Sequence, residues 1–447
     1  MAKAARCRPR KAIAALALML ALMSAVSVAR AQTADTEQTQ AHFQSTWIWQ
    51  NKPAFSAAYS GEHSLARAQE RTYSLTATAF LGARGWQGAE FYLNPEVAMG
   101  VPLSNLTGLG GFQNGELART SGPHPTLYLA RAFVRQTIDL DGEKIFFKGD
   151  INRLGGEVDR RRLVLTVGQL SVTDLFDNNA YSHDARKQFL NWALVTHGAY
   201  DFAADARGYS RGIALEWYHD DWAIRAGRFA MPTIPNGTTL NDALATSYGD
   251  QIELERGYTV ADAPGRVRVL LYRNRAVMGT YGDALALAAK VGGAPDLAPV
   301  RSDQTKTGHG ISLEQSLGSL GGAFARYSRT DGQHEVYAYA EIDQSVSGGV
   351  LIEGANWSRP LDLFGLAAAV NSLSGSHSQF LGQGGLGFFV GDGRINYRPE
   401  QIVECFYAWS LAPKLQLSLN AQWFRQPAYN LDRGPAYVYG LRLHAEF

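Results

Sequence analysis

The chain has 447 residues, with 42 Lys and Arg against 41 Asp and Glu, and a formal charge of +1. That balance gives no reason to expect nucleic acid as a partner. It carries 20 Tyr, 20 Phe, 9 Trp and 46 Gly, yet beyond its N-terminus no run of 18 apolar residues, which excludes a helical membrane protein.

The first 31 residues predict a secretory signal. Lys3, Arg6, Arg8, Arg10 and Lys11 form a basic start, Ala12 to Met23 an apolar stretch, and Ala29 to Ala31 a small-residue cleavage site. The strictly apolar stretch is short for a membrane span of roughly 20 residues. Removal of this segment takes away six basic residues and no acidic one. The mature chain then has 416 residues, a formal charge of −5 and one cysteine, Cys405. An intramolecular disulfide is excluded, and thiol-ligated metal is not expected. A short segment, 32–43, leads into the single domain expected over 44–447.

Export, aromatics, glycine and period-two alternation together predict an outer-membrane β-barrel. A first strand lies within 44–60. Further strands are expected at 73–82, 87–95, 127–138, 161–169, 211–219, 222–230, 249–258, 265–274, 308–317 and 320–329. A long one covers 334–354, with an irregular middle at "IDQS", and the last four are 364–372, 400–409, 414–424 and 436–447. That makes sixteen, the even number that a bacterial barrel requires. The connections then alternate in length. One set is mostly long (96–126, 170–210, 231–248, 275–307, 373–399) and the other short ("GARGW", "DD", "VADAPG", "GS", "SLAPK"). Segment 139–160 breaks the rule, unless its flanking strands run further. Short periplasmic turns and long external loops fit an all-β, closed antiparallel outer-membrane barrel. The last strand, "AYVYGLRLHAEF", ends on Phe447 with no polar tail, as expected if it closes against the first strand, because an open edge is not tolerated in lipid.

Strand phase follows from cost: a Lys or Arg facing lipid near mid-membrane costs about 2–4 kcal/mol. Arg131 and Arg135 share a face of "LARAFVRQT", so that face is assigned to the lumen. The same logic turns Glu90, Tyr92, Glu216, Arg225, Arg268 and Arg326 inward, with Glu253, Glu255, Glu314, Glu404 and Arg442. Phe91, Leu93, Ile213 and Leu215 then face lipid. A lumen with charges of both signs suits a water-filled selective channel, although such charges also pair across any barrel wall.

The connection "SVTDLFDNNAYSHDARKQFLNWALVTHGAYDFAADARGYS" is too long for a plain turn. "DARKQFLNWAL" has helical spacing over 184–194, with Asp184 as the expected N-cap. If the loop folds into the barrel it narrows the lumen; otherwise it caps the mouth. In the first case Asp174, Asp177, Asn178 and Asn179 meet hydroxyl groups, and Tyr181, Trp192 or Tyr200 meets the faces of sugar rings.

The runs "FYLNPEVAMGVPLSNLTGLGGFQNGE", "DLFDNNAYSHD…QFLNWAL", "RPLDLFGLAAAV", "GDGRINYRPEQIVECFY" and "PAYNLDRGPAYVYGLRLHAEF" together resemble the carbohydrate-selective porin family (OprB type) of proteobacteria. The resemblance covers nearly all of the mature chain. It implies passive diffusion of carbohydrates such as glucose through the outer-membrane lipid into the periplasm, past an arginine-rich eyelet for which Arg131 and Arg135 are the candidates. Outer-membrane proteins commonly end in such a strand, so the Phe447 strand resembles the signal read by the barrel assembly machinery, and barrels of this kind commonly form homotrimers. No cofactor or metal is expected. An enzyme is disfavoured: "GYSRG" has its Ser one position off a nucleophile elbow. A structural barrel, and a porin for anions or organic acids, remain as rival readings.

Overall fold

The computed structural model describes residues 36–117, 122–338 and 340–447; the expected signal segment 1–31 lies outside the described residues. Alternating residues form sixteen strands. The first eight are β1 (Thr39–Lys52), β2 (Glu70–Arg84), β3 (Ala89–Val101), β4 (Thr126–Phe147), β5 (Gly156–Leu170), β6 (Ser210–His219), β7 (Trp222–Ala230) and β8 (Tyr248–Val260). The rest are β9 (Ala263–Met278), β10 (Ser302–Ser316), β11 (Gly321–Thr330), β12 (Gln344–Glu353), β13 (Leu363–Ser372), β14 (Glu400–Ala412), β15 (Leu415–Arg425) and β16 (Ala436–Glu446). Each pairs antiparallel with its sequence neighbours, and β1 pairs with β16 to close the barrel. At that seam Phe43 and Phe447 exchange two backbone hydrogen bonds, of 3.0 and 2.9 Å.

The outward faces carry the apolar set: Phe91, Leu93, Ile213 and Leu215 are all exposed. Trp86 and Trp222 stand at the short-turn end and Tyr437 at the other, where aromatic girdles meet the membrane interfaces. Long and short connections fall on opposite ends as expected. The excess length of 139–160 comes from the strands, since β4 runs to Phe147 and β5 starts at Gly156.

Two expectations need correction. The first strand starts at Thr39 and stops at Lys52, so it begins within the short segment 32–43 and leaves out 53–60. The expected long strand 334–354 is a strand only over Gln344–Glu353. Its first half leaves the wall and turns into the lumen. There the Asp201 carboxylate accepts the N–H groups of Tyr337 and Ala338, and the Gly110 carbonyl accepts that of Glu341. Backbone released from the sheet finds these partners inside, so continued pairing is not required.

The core lies inside the barrel. Phe176, Phe202 and Tyr200 from the long loop pack with Phe229 and Tyr272 of the wall, and Phe189 and Leu194 pack with Phe324 and Phe406. Two short helices, Tyr281–Val291 (α2) and Gly375–Gly382 (α3), cover the long-loop end, while Trp192–Val195 (α1) lies in the lumen.

Candidate functional site: the lumen cavity

The loop from Ser171 to Tyr209 enters the lumen, and charged wall residues hold its backbone there. Glu404 on β14 accepts the N–H groups of Leu190 and Asn191 at 2.6 and 2.8 Å. Arg442 on β16 donates to the carbonyls of Ala185, Lys187 and Gln188. Arg326 on β11 grips Asp177 at 2.8 Å and the carbonyls of Leu194 and Ser182. Backbone at membrane depth is tolerated only where such partners satisfy it.

The helix expected over 184–194 is reduced to α1, capped by the side chain of Asn191 instead of Asp184. Asp184 closes a single turn, accepting the N–H of Gln188 with its carbonyl and that of Arg186 with its side chain. The Glu404 contacts hold residues 190 and 191 apart from a helical ladder, which is why the spacing overpredicts the helix.

Where the loop stays clear of the wall it leaves a cavity of about 450 Å³. Its polar side is formed by Arg131, Arg135, Asp174, Arg186 and Arg207, and its apolar side by Phe112, Trp192 and Leu175. Arg131 is aimed by a bulge. Asn94 pairs with Arg131 and Pro95 with Leu129, so Ala130 is left without a β3 partner. Pro95 has no N–H to give the ladder, and the slip lets Tyr128 and Arg131 both point inward while Leu129 meets lipid. Arg131 makes a bidentate pair with Asp174, at 2.7 and 2.6 Å, and lies over the Tyr209 ring at 5.2 Å. Asp174 is itself fixed by a capping box with Ser171.

Each of the four cavity arginines has a carboxylate within salt-bridge reach. Arg131 has Asp174 at 2.6 Å, Arg135 has Glu90 at 3.8 Å, and Arg207 has Asp205 at 3.8 Å. Arg186 has Glu116 at 2.6 Å and Glu96 at 2.9 Å. The cavity is therefore rich in donors without a large excess of charge.

Of the residues singled out from sequence, Arg131, Arg135, Asp174 and Trp192 meet at this cavity. Glu90 and Tyr92 support it from beneath: Tyr92 donates to Glu90 at 2.6 Å, and Arg135 lies over the Tyr92 ring at 5.3 Å. Glu216, Arg225 and Arg268 face inward but belong to an ion-pair belt with Glu253, Glu255 and Glu314. Asp177, Asn179 and Arg326 are buried loop anchors, and Asn178 is exposed and outside the cavity lining. Tyr200 is buried against Phe202 and Tyr272, so its ring has no free face for a sugar. Sequence reasoning missed Arg186, Arg207, Tyr209 and Glu116. Three of these stand in the long loop, in "DARK" and "ARGYS", where strand phase gives no guide. Among the described residues no group of three His, Cys, Asp or Glu is placed to hold a metal ion.

Comparison with known proteins agrees with this architecture. Residues 64–447 match the family model of the carbohydrate-selective porin, OprB family. The high-pH structure of Pseudomonas putida OprB is similar over 92% of this chain and 94% of that chain, at 16% identity and a TM-score of 0.69. The low-pH structure of the same protein gives 13% identity, 92% and 93% coverage and a TM-score of 0.48. Pseudomonas aeruginosa OccK8 (OprE) gives 8% identity, 92% and 98% coverage and a TM-score of 0.46. No curated protein matches the chain. The family match spans most of the sequence, and the barrel closes with sixteen strands: the chain belongs to the carbohydrate-selective porin family, OprB, of the Gram-negative outer membrane.

Proposed function

We propose that the 450 Å³ cavity is the selective part of a passive diffusion channel, and that it prefers neutral sugars to anions. The supporting observation is that each of its four arginines is paired with a carboxylate. Paired guanidinium and carboxylate groups still donate to and accept from hydroxyls. They offer no strong excess charge for an anion. Trp192, half-buried and backed by Phe112, supplies the apolar surface that the C–H face of a sugar ring favours. Contacts spread over several groups keep binding weak enough for the solute to leave. Such diffusion uses no catalytic group and no energy source.

The test is single-channel recording in planar bilayers with added glucose or maltose. Sugars are expected to reduce the current reversibly, and a salt gradient to give only a small reversal potential. The double variant Arg131→Ala, Arg135→Ala leaves Asp174 and Glu90 without these partners. It is expected to raise conductance, weaken sugar block and move the reversal potential toward cation selectivity. A strongly anion-selective wild type would favour the rival reading. Unchanged block and conductance in the double variant would place the constriction elsewhere. We further propose that the Phe447 strand is the segment read by the barrel assembly machinery before it closes on β1.

A further inference from the structure

The β4–β5 hairpin runs beyond its neighbours at the periplasmic end. Gln136 pairs with Ala89, the first residue of β3, yet β4 continues to Phe147. Register shifts at Asp139/Asp141 and Asp141/Lys144 bend this extension. Its tip then folds back under the barrel. Asp150 and Arg153 close a tight turn with two backbone bonds, of 2.9 and 3.0 Å, and Asn152 sits in the left-handed region at φ 54°. The tip bonds to inward-facing side chains of β3 and β4. Arg135 donates to the Asn152 carbonyl at 2.8 Å, Asn94 to the Asn152 side chain at 3.0 Å, and the Leu154 N–H to the Tyr92 hydroxyl at 3.1 Å. Arg84 and Glu37 fix Gly155 from the rim, each at 2.8–2.9 Å. The Glu37 carboxylate also packs closely on Gly149.

Asn94 lies five residues up from Ala89, about 16 Å along the strand. The tip therefore reaches well inside the wall, and Ile151 and Asn152 line the same cavity as Thr173 and Asp174 of the long loop. We infer that residues 149–155 are an inner lip of the sugar passage, built from the periplasmic side, with Ile151 and Asn152 as its specificity-determining residues. The long loop narrows the lumen from outside and the lip narrows the exit below Arg135. A solute held at Arg135 touches the tip before it reaches the periplasm. The hairpin is longer than its neighbours because it must turn back to this depth. This inference rests on the cavity being the passage.

Thiol labelling separates the two statements. In the full chain carrying Cys7→Ser and Cys405→Ser, single cysteines are placed by Ile151→Cys and by Thr173→Cys. Each is treated with a methanethiosulfonate ethyltrimethylammonium reagent, and labelling is confirmed by mass. Both labelled channels are expected to lose at least half of their single-channel conductance and most of their sugar block. If the Thr173→Cys channel responds, but the Ile151→Cys channel stays unlabelled or conducts as before, the lip is overturned and the passage stands. If neither responds, the passage reading falls and the lip falls with it.

Discussion

Arg326→Met tests whether the lumen loop is held by its wall anchors. The residue is 3% exposed, and its guanidinium bonds three parts of the loop: the Asp177 carboxylate at 2.8 Å, the Leu194 carbonyl at 2.8 Å and the Ser182 carbonyl at 2.5 Å. Methionine fills much of the volume but leaves a buried carboxylate without its cation. Breaking a buried pair by removing one partner costs about 3–5 kcal/mol. Asp177 keeps the Thr196 hydroxyl and the His197 N–H, both at 2.8 Å, so the lower end of that range applies. The Glu404 and Arg442 anchors are untouched, so the loss falls on local opening of the loop and not on the barrel. At about 1.4 kcal/mol per factor of ten, amide exchange across 177–197 should accelerate by about a hundredfold. Hydrogen exchange read by mass spectrometry in detergent measures this, with the strands as internal control. Single-channel traces should become noisier, with a higher mean conductance. Arg326→Met with Asp177→Asn should recover part of the protection, because removing both charges together costs less than stranding one. Wild-type exchange across 177–197 in Arg326→Met would refute the anchoring argument.

Changing Phe447 to Asp removes the ring contact with Phe43, at 6.3 Å, and places a charge at the barrel seam, so outer-membrane levels of heat-modifiable barrel should fall while surviving channels conduct normally. Normal levels would count against a role in closure. His377 on α3 lies between Asp343 at 2.9 Å and Glu341 at 3.1 Å and stacks on Tyr281 at 4.0 Å, clamping the external loops together. Burial opposes its charge, but Asp343 and Glu341 outweigh burial and push its pKa up to about 9. A raised folded pKa means that this stabilisation is complete below the unfolded value of about 6.5 and is lost as pH rises through about 9. Melting of the external cap should therefore drop over that window, and His377→Phe should flatten the dependence; an equal slope in the variant would exclude His377 as its source.

The barrel was legible because lipid on one side and a polar lumen on the other impose period two on every strand. The charge of Arg131 and Arg135 set the phase of β4 from sequence. Phase does not say what an inward charge meets. Arg225, Arg268 and Arg326 obey the same rule as Arg131, yet they bind other wall residues or the loop backbone. A lumen arginine can serve a solute or an orphan carbonyl, and only the path of the loop decides between them. The same ambiguity made 334–354 read as one strand. Its apolar and aromatic residues alternate, but Asp201 lies more than a hundred positions away and captures its backbone. The fold-back of 149–155 depends on register shifts in an otherwise regular hairpin, which leave no mark in composition.

A barrel wall alone cannot make this cavity. Along one strand, inward side chains recur only every second residue, about 6.6 Å apart, and each neighbouring strand adds a parallel row. A hydroxyl-rich ring of similar width needs donors, acceptors and an apolar face all within that spacing. The wall contributes Arg131 and Arg135, with a bulge adjusting the aim. The external loop adds Asp174, Arg186, Arg207 and Trp192, and the periplasmic tip adds Asn152. Wall residues such as Glu404 and Arg442 fix where those segments lie and do not line the cavity themselves. Substitutions at the anchors should thus change noise and stability together. Substitutions at the tips of the two inserted segments should change which solute passes while leaving the barrel intact.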